Sequence, residues 1–429
     1  MDILEISNIG PINHLKVELN KINIFMGQQG SGKSVIAKII SYCKWVEKSI
    51  AVKQSLDTFN ADKKYFLKRL IDFHKLDGYF RDNSTITFKS NLISFELKNN
   101  DFNIWWVDRY NYKRNKVSYI PSERNLAALP EIEKISFPDN YLRSFLFDWL
   151  DARKLYTSEN PLDIINLDLQ YYSTSTQENY IKNKNSESKY KVLLTNASSG
   201  IQSITPLLVM LDYLTDKIYK EKTDVSYEID EKNKSTSQYL FRNIFWNPAV
   251  EILKKFDPNQ GSTESEMMNF VLKVIEDIDE YPDIKKLIDE YSEIKDNFLE
   301  TKNTQIILEE AEQNLFPDTQ RFLIYYLFSK INNVNHQHGL TLTTHSPYIL
   351  YSINNCILAY IVKDTLTEIE KSKLNCLNSA IDPKSISIYQ IEDGKISSIQ
   401  DDLGLIQTNY FDEQMTKIMD DYYVMLNRL

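Results

Sequence analysis

Gly27-Gln28-Gln29-Gly30-Ser31-Gly32-Lys33-Ser34 gathers three of the chain's ten glycines within six residues. The run fits G-x-x-x-x-G-K-[ST], a loop whose backbone N–H groups cradle phosphates while the lysine neutralises them. Its flanks are those the loop needs. Lys21–Met26 reads as a buried strand, and Val35–Ser41 reads as a helix with an apolar face. A chain this poor in glycine has few to spare, so the cluster marks backbone that must turn left-handed or pass close to a ligand. The stretch predicts that the chain binds a nucleoside triphosphate with Mg²⁺.

Moving outward, residues 2–7 and 14–26 read as two strands leading into the loop, and residues 84–108 alternate like antiparallel strands solvated on one face. Val117–Ile120 is a further short strand, stopped by Pro121. The pattern divides the chain into 1–124 as the first part of a nucleotide-binding core and 125–190 as a helical lobe. Residues 191–220 form a turn and helix, 221–300 a charged helical insertion that projects, and 301–429 the rest of the core. Within the insertion, loops are expected at Glu231–Ser235 and Asn259–Ser262. Order returns with a strand at Thr304–Leu308, a helix at Pro317–Asn332 and a strand at Leu340–Thr344. A hairpin follows around Asp393-Gly394.

Bulk properties bound the rest. At 429 residues, 26% charged and 42% apolar, the chain is a folded protein with room for one large core and a lobe. No apolar run is long enough to span a bilayer and no basic-then-apolar leader opens the chain, so a cytoplasmic location away from membranes is expected. Cys43, Cys356 and Cys376 are widely spaced and read as buried, reduced thiols. The net charge of −10 argues against a surface that is basic all over but leaves room for a local basic groove, so DNA binding stays open. The short basic stretches Lys113–Lys116 and Lys182–Asn185 read as solvated loops.

Three further segments narrow the chemistry. Gln305-Ile306-Ile307-Leu308-Glu309-Glu310 is an apolar strand ending in two acids, placing one carboxylate by a metal and the next by an attacking water. A strand running into a solvated turn gives the same pattern. Thr343-Thr344-His345-Ser346-Pro347 ends a strand in a histidine about thirty-five residues later, across one helix, which predicts a neighbouring parallel strand. Its imidazole can reach a γ-phosphate or serve only structure. Asn196-Ala197-Ser198-Ser199-Gly200-Ile201-Gln202 opens a helix with hydroxyls and backbone donors, suited to an anion or to ordinary capping.

As a set, these segments resemble the ABC-type ATPases, and within them the RecF/SMC and OLD-like branch. Gly27–Ser34 matches its Walker A loop, Ser198–Gln202 its signature turn, Glu309–Glu312 its Walker B acids and Thr344–Pro347 its switch histidine. Tyr119-Ile120-Pro121-Ser122-Glu123-Arg124 looks like the Tyr-Ile-Pro-x-Glu-Arg segment of OLD-like defence ATPases. The resemblance implies an α/β fold, an ABC-type P-loop core with a mixed sheet and antiparallel β lobe, plus helical lobe and insertion. It implies ATP and Mg²⁺ as ligands, with Lys33 on the β- and γ-phosphates, and Ser34 and Glu309 at the metal. Glu310 would then orient water and His345 sense the γ-phosphate. Ser198, Ser199, Gly200 and Gln202 would meet ATP from a second subunit, giving a homodimer or higher oligomer. Two departures matter: Ala311 stands where that branch has proline, and 119–124 offers no Q-loop glutamine, leaving Ser122 or Glu123 for the metal or water. No Asp-x-Asp pair follows His345, so a Toprim nuclease domain is not expected. The implied role is an ATPase that works with a separate effector in prokaryotic defence. A RecF-type DNA-repair ATPase is the alternative, and a nuclease in its own right the third reading.

Overall fold

The computed structural model describes residues 2–184, 190–220, 227–256, 264–332 and 335–429. Among the described residues, fifteen strands and the helices of ten residues or more carry labels in chain order, α9 being Pro317–Ile331. A six-stranded sheet runs in the order β15 (Lys395–Ser398), β14 (Ile386–Glu392), β3 (Ile22–Gly27), β13 (Gly339–Thr344), β12 (Asn303–Leu308), β7 (Asn115–Ile120). All neighbours pair parallel except β14 with β15, which form the expected hairpin. β3 and β13 are buried at every position, as strands covered on both faces must be.

Register explains why the distant motifs converge. Met26 pairs with Thr344, Leu308 with Leu342, and Leu308 with Ile120. The phosphate loop, the acids, His345 and the segment starting at Pro121 therefore all leave the sheet at one carboxyl edge. That edge is where open α/β sheets place their ligands.

The second sheet is antiparallel: β2 (Ile12–Leu19), β1 (Asp2–Ile9), β4 (Phe80–Lys89), β5 (Ile93–Lys98), β6 (Asp101–Trp106). Between the two sheets lies helix α1 (Lys33–Lys53), whose long buried surface serves both cores. Ala37 packs with Ile22, Ile24 and Met26, while Ile36, Ile39 and Cys43 pack with Leu4, Phe88 and Phe95. Helix α2 (Tyr65–His74) closes the lobe, with Phe66 stacked on Phe102 at 4.1 Å.

Several sequence expectations need correction. Residues 125–190 are not a helical lobe. After helix α3 (Tyr141–Ala152) comes a four-stranded antiparallel sheet of β8 (Leu162–Ile164), β9 (Leu169–Ser173), β10 (Asn179–Asn183) and β11 (Lys191–Leu193). Those strands are three to five residues long, too short to show a period of two against interleaved polar residues. The insertion does not project freely either. Its helices α5 (Tyr227–Leu240), α6 (Asn247–Phe256), α7 (Glu264–Glu276) and α8 (Pro282–Leu299) follow α4 (Ser199–Asp212), and α6, α7 and α8 share a small core around Phe245, Val271 and Ile284. Leu240, Ile244 and Phe298 then join the lobe core, and the Thr236 hydroxyl donates to the Val52 carbonyl of α1. Residues 231–235 are helical, inside α5, whereas Asn259–Ser262 lies outside the described residues.

Third, Lys113–Lys116 is no solvated loop. Arg114 donates to Asn233, Phe298 and Leu299, tying the insertion to β7, and Lys116 pairs with Asp148 at 2.6 Å. Of the second basic stretch, Lys182 and Asn183 belong to β10, Lys184 pairs with Asp163, and Asn185 lies outside the described residues. All three cysteines are buried and free, as expected. Among the described residues, no helix is long and apolar enough to cross a membrane.

At the opposite edge of the main sheet, buried His338 holds the strands together. Its Nδ1 accepts from the Thr304 N–H at 3.2 Å, so Nε2–H faces the Thr215 carbonyl at 3.2 Å. Burial, with His336 and Lys21 nearby, pushes its pKa down to about 4. The folded chain thus holds a neutral ring that the unfolded chain protonates near 6.5. Folding stability is expected to fall as pH drops from about 6.5 towards about 4. His338→Leu should be less stable at pH 7 and show a shallower loss on acidification, read from urea unfolding across that range.

Candidate functional site

The loop's shape depends on glycine at two places. Gly27 has φ 153°, and a Cβ there would lie 2.6 Å from the Ile391 carbonyl oxygen on the neighbouring strand. Gly32 has φ 103° and is the N-cap of α1, where a Cβ would press on Ile12 at 2.9 Å. The first turn of α1 therefore opens directly onto the loop, directing unpaired N–H groups and the positive helix end at whatever the loop holds. Lys33 spans the concavity, its Nζ donating to the carbonyls of Gly27 at 2.8 Å and Gln28 at 2.7 Å. Burial lowers its pKa, against an opposing pull from Glu310 and Glu312. Ser31 Oγ is buried without a partner.

The two acids occupy different environments. Glu309 continues the β12–β7 pairing, its N–H donating to the Ile120 carbonyl at 3.0 Å, and is 3% exposed. Burial lifts its carboxyl above the usual range; Tyr119, Lys38 and the Ser34 hydroxyl favour the charge without cancelling that cost. Its Oε1 has no hydrogen-bond partner. A buried carboxylate oxygen without a partner, beside the Ser34 hydroxyl, fits a hard divalent cation, which takes one or two protein oxygens and completes its shell with phosphate and water. Glu310 sits at φ 44° and is half-buried, its N–H donating to Thr343 Oγ1 at 3.1 Å and its carboxylate acting on Lys33.

Two residues to which the sequence reading gave no role hold this turn. Arg124 is fully buried and donates to the carbonyls of Glu309 at 2.9 Å and Glu310 at 2.8 Å. Burial brings its pKa down to about 10, against support from Glu312, Glu310 and Glu309, so it stays charged at neutral pH. Glu312 accepts from Thr344 Oγ1 at 2.9 Å and from the His345 N–H at 2.6 Å, and lies 3.3 Å from His345 Nδ1. It fixes where the imidazole begins. Both residues were visible inside quoted motifs, but their partners lie far along the chain, 185 residues away for Arg124 and Glu309. Spacing gives no sign of that. Of the candidates for the missing glutamine, Ser122 bonds Glu123 at 3.2 Å, and Glu123 accepts from the Tyr141 hydroxyl at 3.1 Å, close enough to Glu309 to oppose its charge.

The structure brings Gly27–Ser34, Glu309, Glu310 and His345 to one edge and leaves the 198–202 turn elsewhere. Ser198 is the exposed N-cap of α4, yet its hydroxyl makes no capping bond. The turn lines a cleft of about 580 Å³ with Leu315 and Phe316, whereas the phosphate loop shares a cavity of about 330 Å³ with residues 390–394 and Tyr410. Gly200 packs so closely that a Cβ would lie 2.9 Å from the Asn314 carbonyl oxygen. Gln202 holds the turn itself, its amide donating to Thr195 and Ala197 carbonyls at 2.8 and 3.0 Å.

No family model and no curated protein matches the chain. Among solved structures, the SMC head domain from Thermotoga maritima aligns with 95% of this chain and 98% of its own at 8% identity and TM-score 0.37. The recombination mediator protein RecF with ATP aligns over 92% and 98% at 11% identity and TM-score 0.27. An Smc head with an extended coiled coil bound to the C-terminal domain of ScpA, from Pyrococcus furiosus, covers 99% and 100% at 9% identity and TM-score 0.24. Superposition this loose transfers no function.

Because the buried Glu309 charge costs stability at neutral pH, Glu309→Gln is expected to unfold at the same or a higher temperature than wild type without ligands. That difference should vanish at acidic pH, where Glu309 is protonated. The same substitution should shrink the stabilisation produced by Mg²⁺ with ATP. Thermal unfolding with and without Mg·ATP at two pH values checks all three outcomes.

Proposed function

We propose that this chain is an ABC-type, OLD-like ATPase that binds ATP with Mg²⁺ and uses hydrolysis as a switch. The supporting observation is the single carboxyl edge that unites the Gly27–Ser34 loop, the partnerless Glu309 oxygen, Glu310 and His345. Lys33, two of its donors now on loop carbonyls, would turn them to the β- and γ-phosphates. Ser34 and Glu309 would hold Mg²⁺, which when bound neutralises phosphate charge. Glu310 would orient the attacking water, and His345, positioned by Glu312, would meet the γ-phosphate.

The separate cleft at Ser198–Gly200 supports completion of each site by a second copy, so that ATP binding closes a head-to-tail dimer and hydrolysis reopens it. For biological role, the Tyr119–Arg124 segment supports an ATPase acting with a separate effector in prokaryotic anti-phage defence. Co-purification with the products of neighbouring genes tests that role. Recovery of DNA with no protein partner would favour the repair-type alternative.

Lys33→Ala is expected to abolish ATP binding or turnover while leaving the fold intact, and Glu310→Gln to keep binding while suppressing hydrolysis. Wild-type hydrolysis by Lys33→Ala overturns the loop assignment. Ser198→Arg and Lys33→Ala chains, each inactive alone, should regain part of the activity when mixed, because one composite site in the heterodimer is then intact. Full ATPase activity in Ser198→Arg alone would leave Ser198 a helix cap.

A further inference from the structure

The main sheet gives a bound triphosphate a direction. Glu309, Glu310 and His345 leave β12 and β13, so the metal and the γ-phosphate belong on that side of the loop. β14 lies on the other side of β3, with Ile391 opposite Gly27. A triphosphate whose γ end faces Glu310 therefore carries its nucleoside towards the end of β14.

The cavity of about 330 Å³ opens there, walled by Gly27–Ser31, the turn between β14 and β15, Pro11 and Tyr410. It is large enough for a small organic group. Gln390 sets two of its walls at once. The side-chain amide donates to Glu392 at 3.1 Å, and Oε1 accepts from the Tyr410 N–H at 3.1 Å. Glu392 and Asp393 are exposed, and among the described residues neither forms an ion pair. Tyr410 is half-buried and rests on the main core.

Two carboxylates without a cation repel phosphate from this end of the loop, and when ionised they only accept hydrogen bonds. They suit an uncharged group rich in hydroxyl donors, and the tyrosine ring suits a flat one. A nucleoside is both, and phosphates held by the loop deliver it at high local concentration. We infer that this cavity holds the nucleoside of the bound nucleotide, its ribose hydroxyls donating to Glu392 and Asp393 and its base stacked on the Tyr410 ring. The site thereby selects a ribonucleotide over a deoxyribonucleotide. Such selection rests on the loop binding ATP as proposed above, but it is made by residues outside the motifs that pointed to ATP.

The test is calorimetric titration of the full chain with three Mg²⁺-bound probes: the non-hydrolysable imido analogue of ATP, its 2′-deoxy counterpart, and tripolyphosphate. The ribose analogue is expected to bind at least about tenfold more tightly than the deoxy analogue, the effect of one hydrogen bond to a charged group. Glu392→Gln combined with Asp393→Asn should bring that ratio close to one. Tyr410→Leu should weaken both nucleotides roughly tenfold, as loss of base stacking does, whereas Tyr410→Phe keeps the ring and binds as wild type. Every variant should bind tripolyphosphate at least as well as wild type, which also shows that it is folded. Equal binding of ribose and deoxy analogues, or a Tyr410→Leu chain that binds nucleotides as wild type does, overturns the inference while tripolyphosphate binding keeps the loop assignment. Failure of wild type to bind any of the three probes overturns both.

Discussion

The site rests on one buried cation. Arg124 has no exposed surface, and its guanidinium spans the carbonyls of Glu309 and Glu310, the residues that leave β12. Burying an unpaired guanidinium is costly, and three nearby carboxylates, Glu312, Glu310 and Glu309, reduce that cost. The converse also holds: without Arg124, three acids would crowd one turn with only the ammonium groups of Lys33 and Lys38 to oppose them. The turn at φ 44° and the charge that surrounds it are therefore a single device. It lets a cluster of carboxylates sit at the end of a buried sheet while backbone carbonyls, rather than carboxylate oxygens, engage the arginine. The acids are thereby left free for other partners, and Glu309 Oε1 has none.

Around that device the elements are coupled through α1. Its N-terminus is capped by Gly32 of the phosphate loop, its flanks belong to the main and lobe cores, and its C-terminal end accepts the Thr236 hydroxyl of the insertion. Interiors packed at crystal-like density move as units. A change at the loop is therefore passed to the antiparallel lobe and, through Thr236, to the helices inserted between residues 227 and 299.

Much of this was legible in the chain, for physical reasons. A strand buried on both faces, such as Ile22–Gly27, reads as a largely apolar run, and the loop between β3 and α1 is set by local backbone geometry that only glycine allows. The adjacency of Asn303–Leu308 and Gly339–Thr344 followed from the rule that neighbouring parallel strands are joined across a helix. What stayed hidden was long-range. Nothing in Arg114 announces that it anchors an insertion to β7, and the three-residue strands at 162–164 and 191–193 carry too little pattern to distinguish from loop. The projecting insertion was misjudged for the same reason: its charged faces are evident, whereas Leu240, Ile244 and Phe298 find their partners in another sheet's core.

The 198–202 turn ties these threads together. It does not share the phosphate loop's cavity, yet it is not independent of the acids. Gly200 lies against the Asn314 carbonyl and the Ser203 hydroxyl donates to the Gln313 carbonyl at 3.0 Å, both in the turn whose start Arg124 holds and to which Glu312 belongs. With no space for even a methyl group at Gly200 and the Ser203 hydroxyl bonded to Gln313, a displacement of residues 310–316 towards α4 pushes on the start of that helix, and one away from it strains the Ser203 bond. In the proposed dimer, the residues beside one ATP would thus sit on the same rigid turn as those presented to the next. Communication between two sites then requires no separate relay, only that this turn have two positions, one for each state of the phosphate facing Glu310.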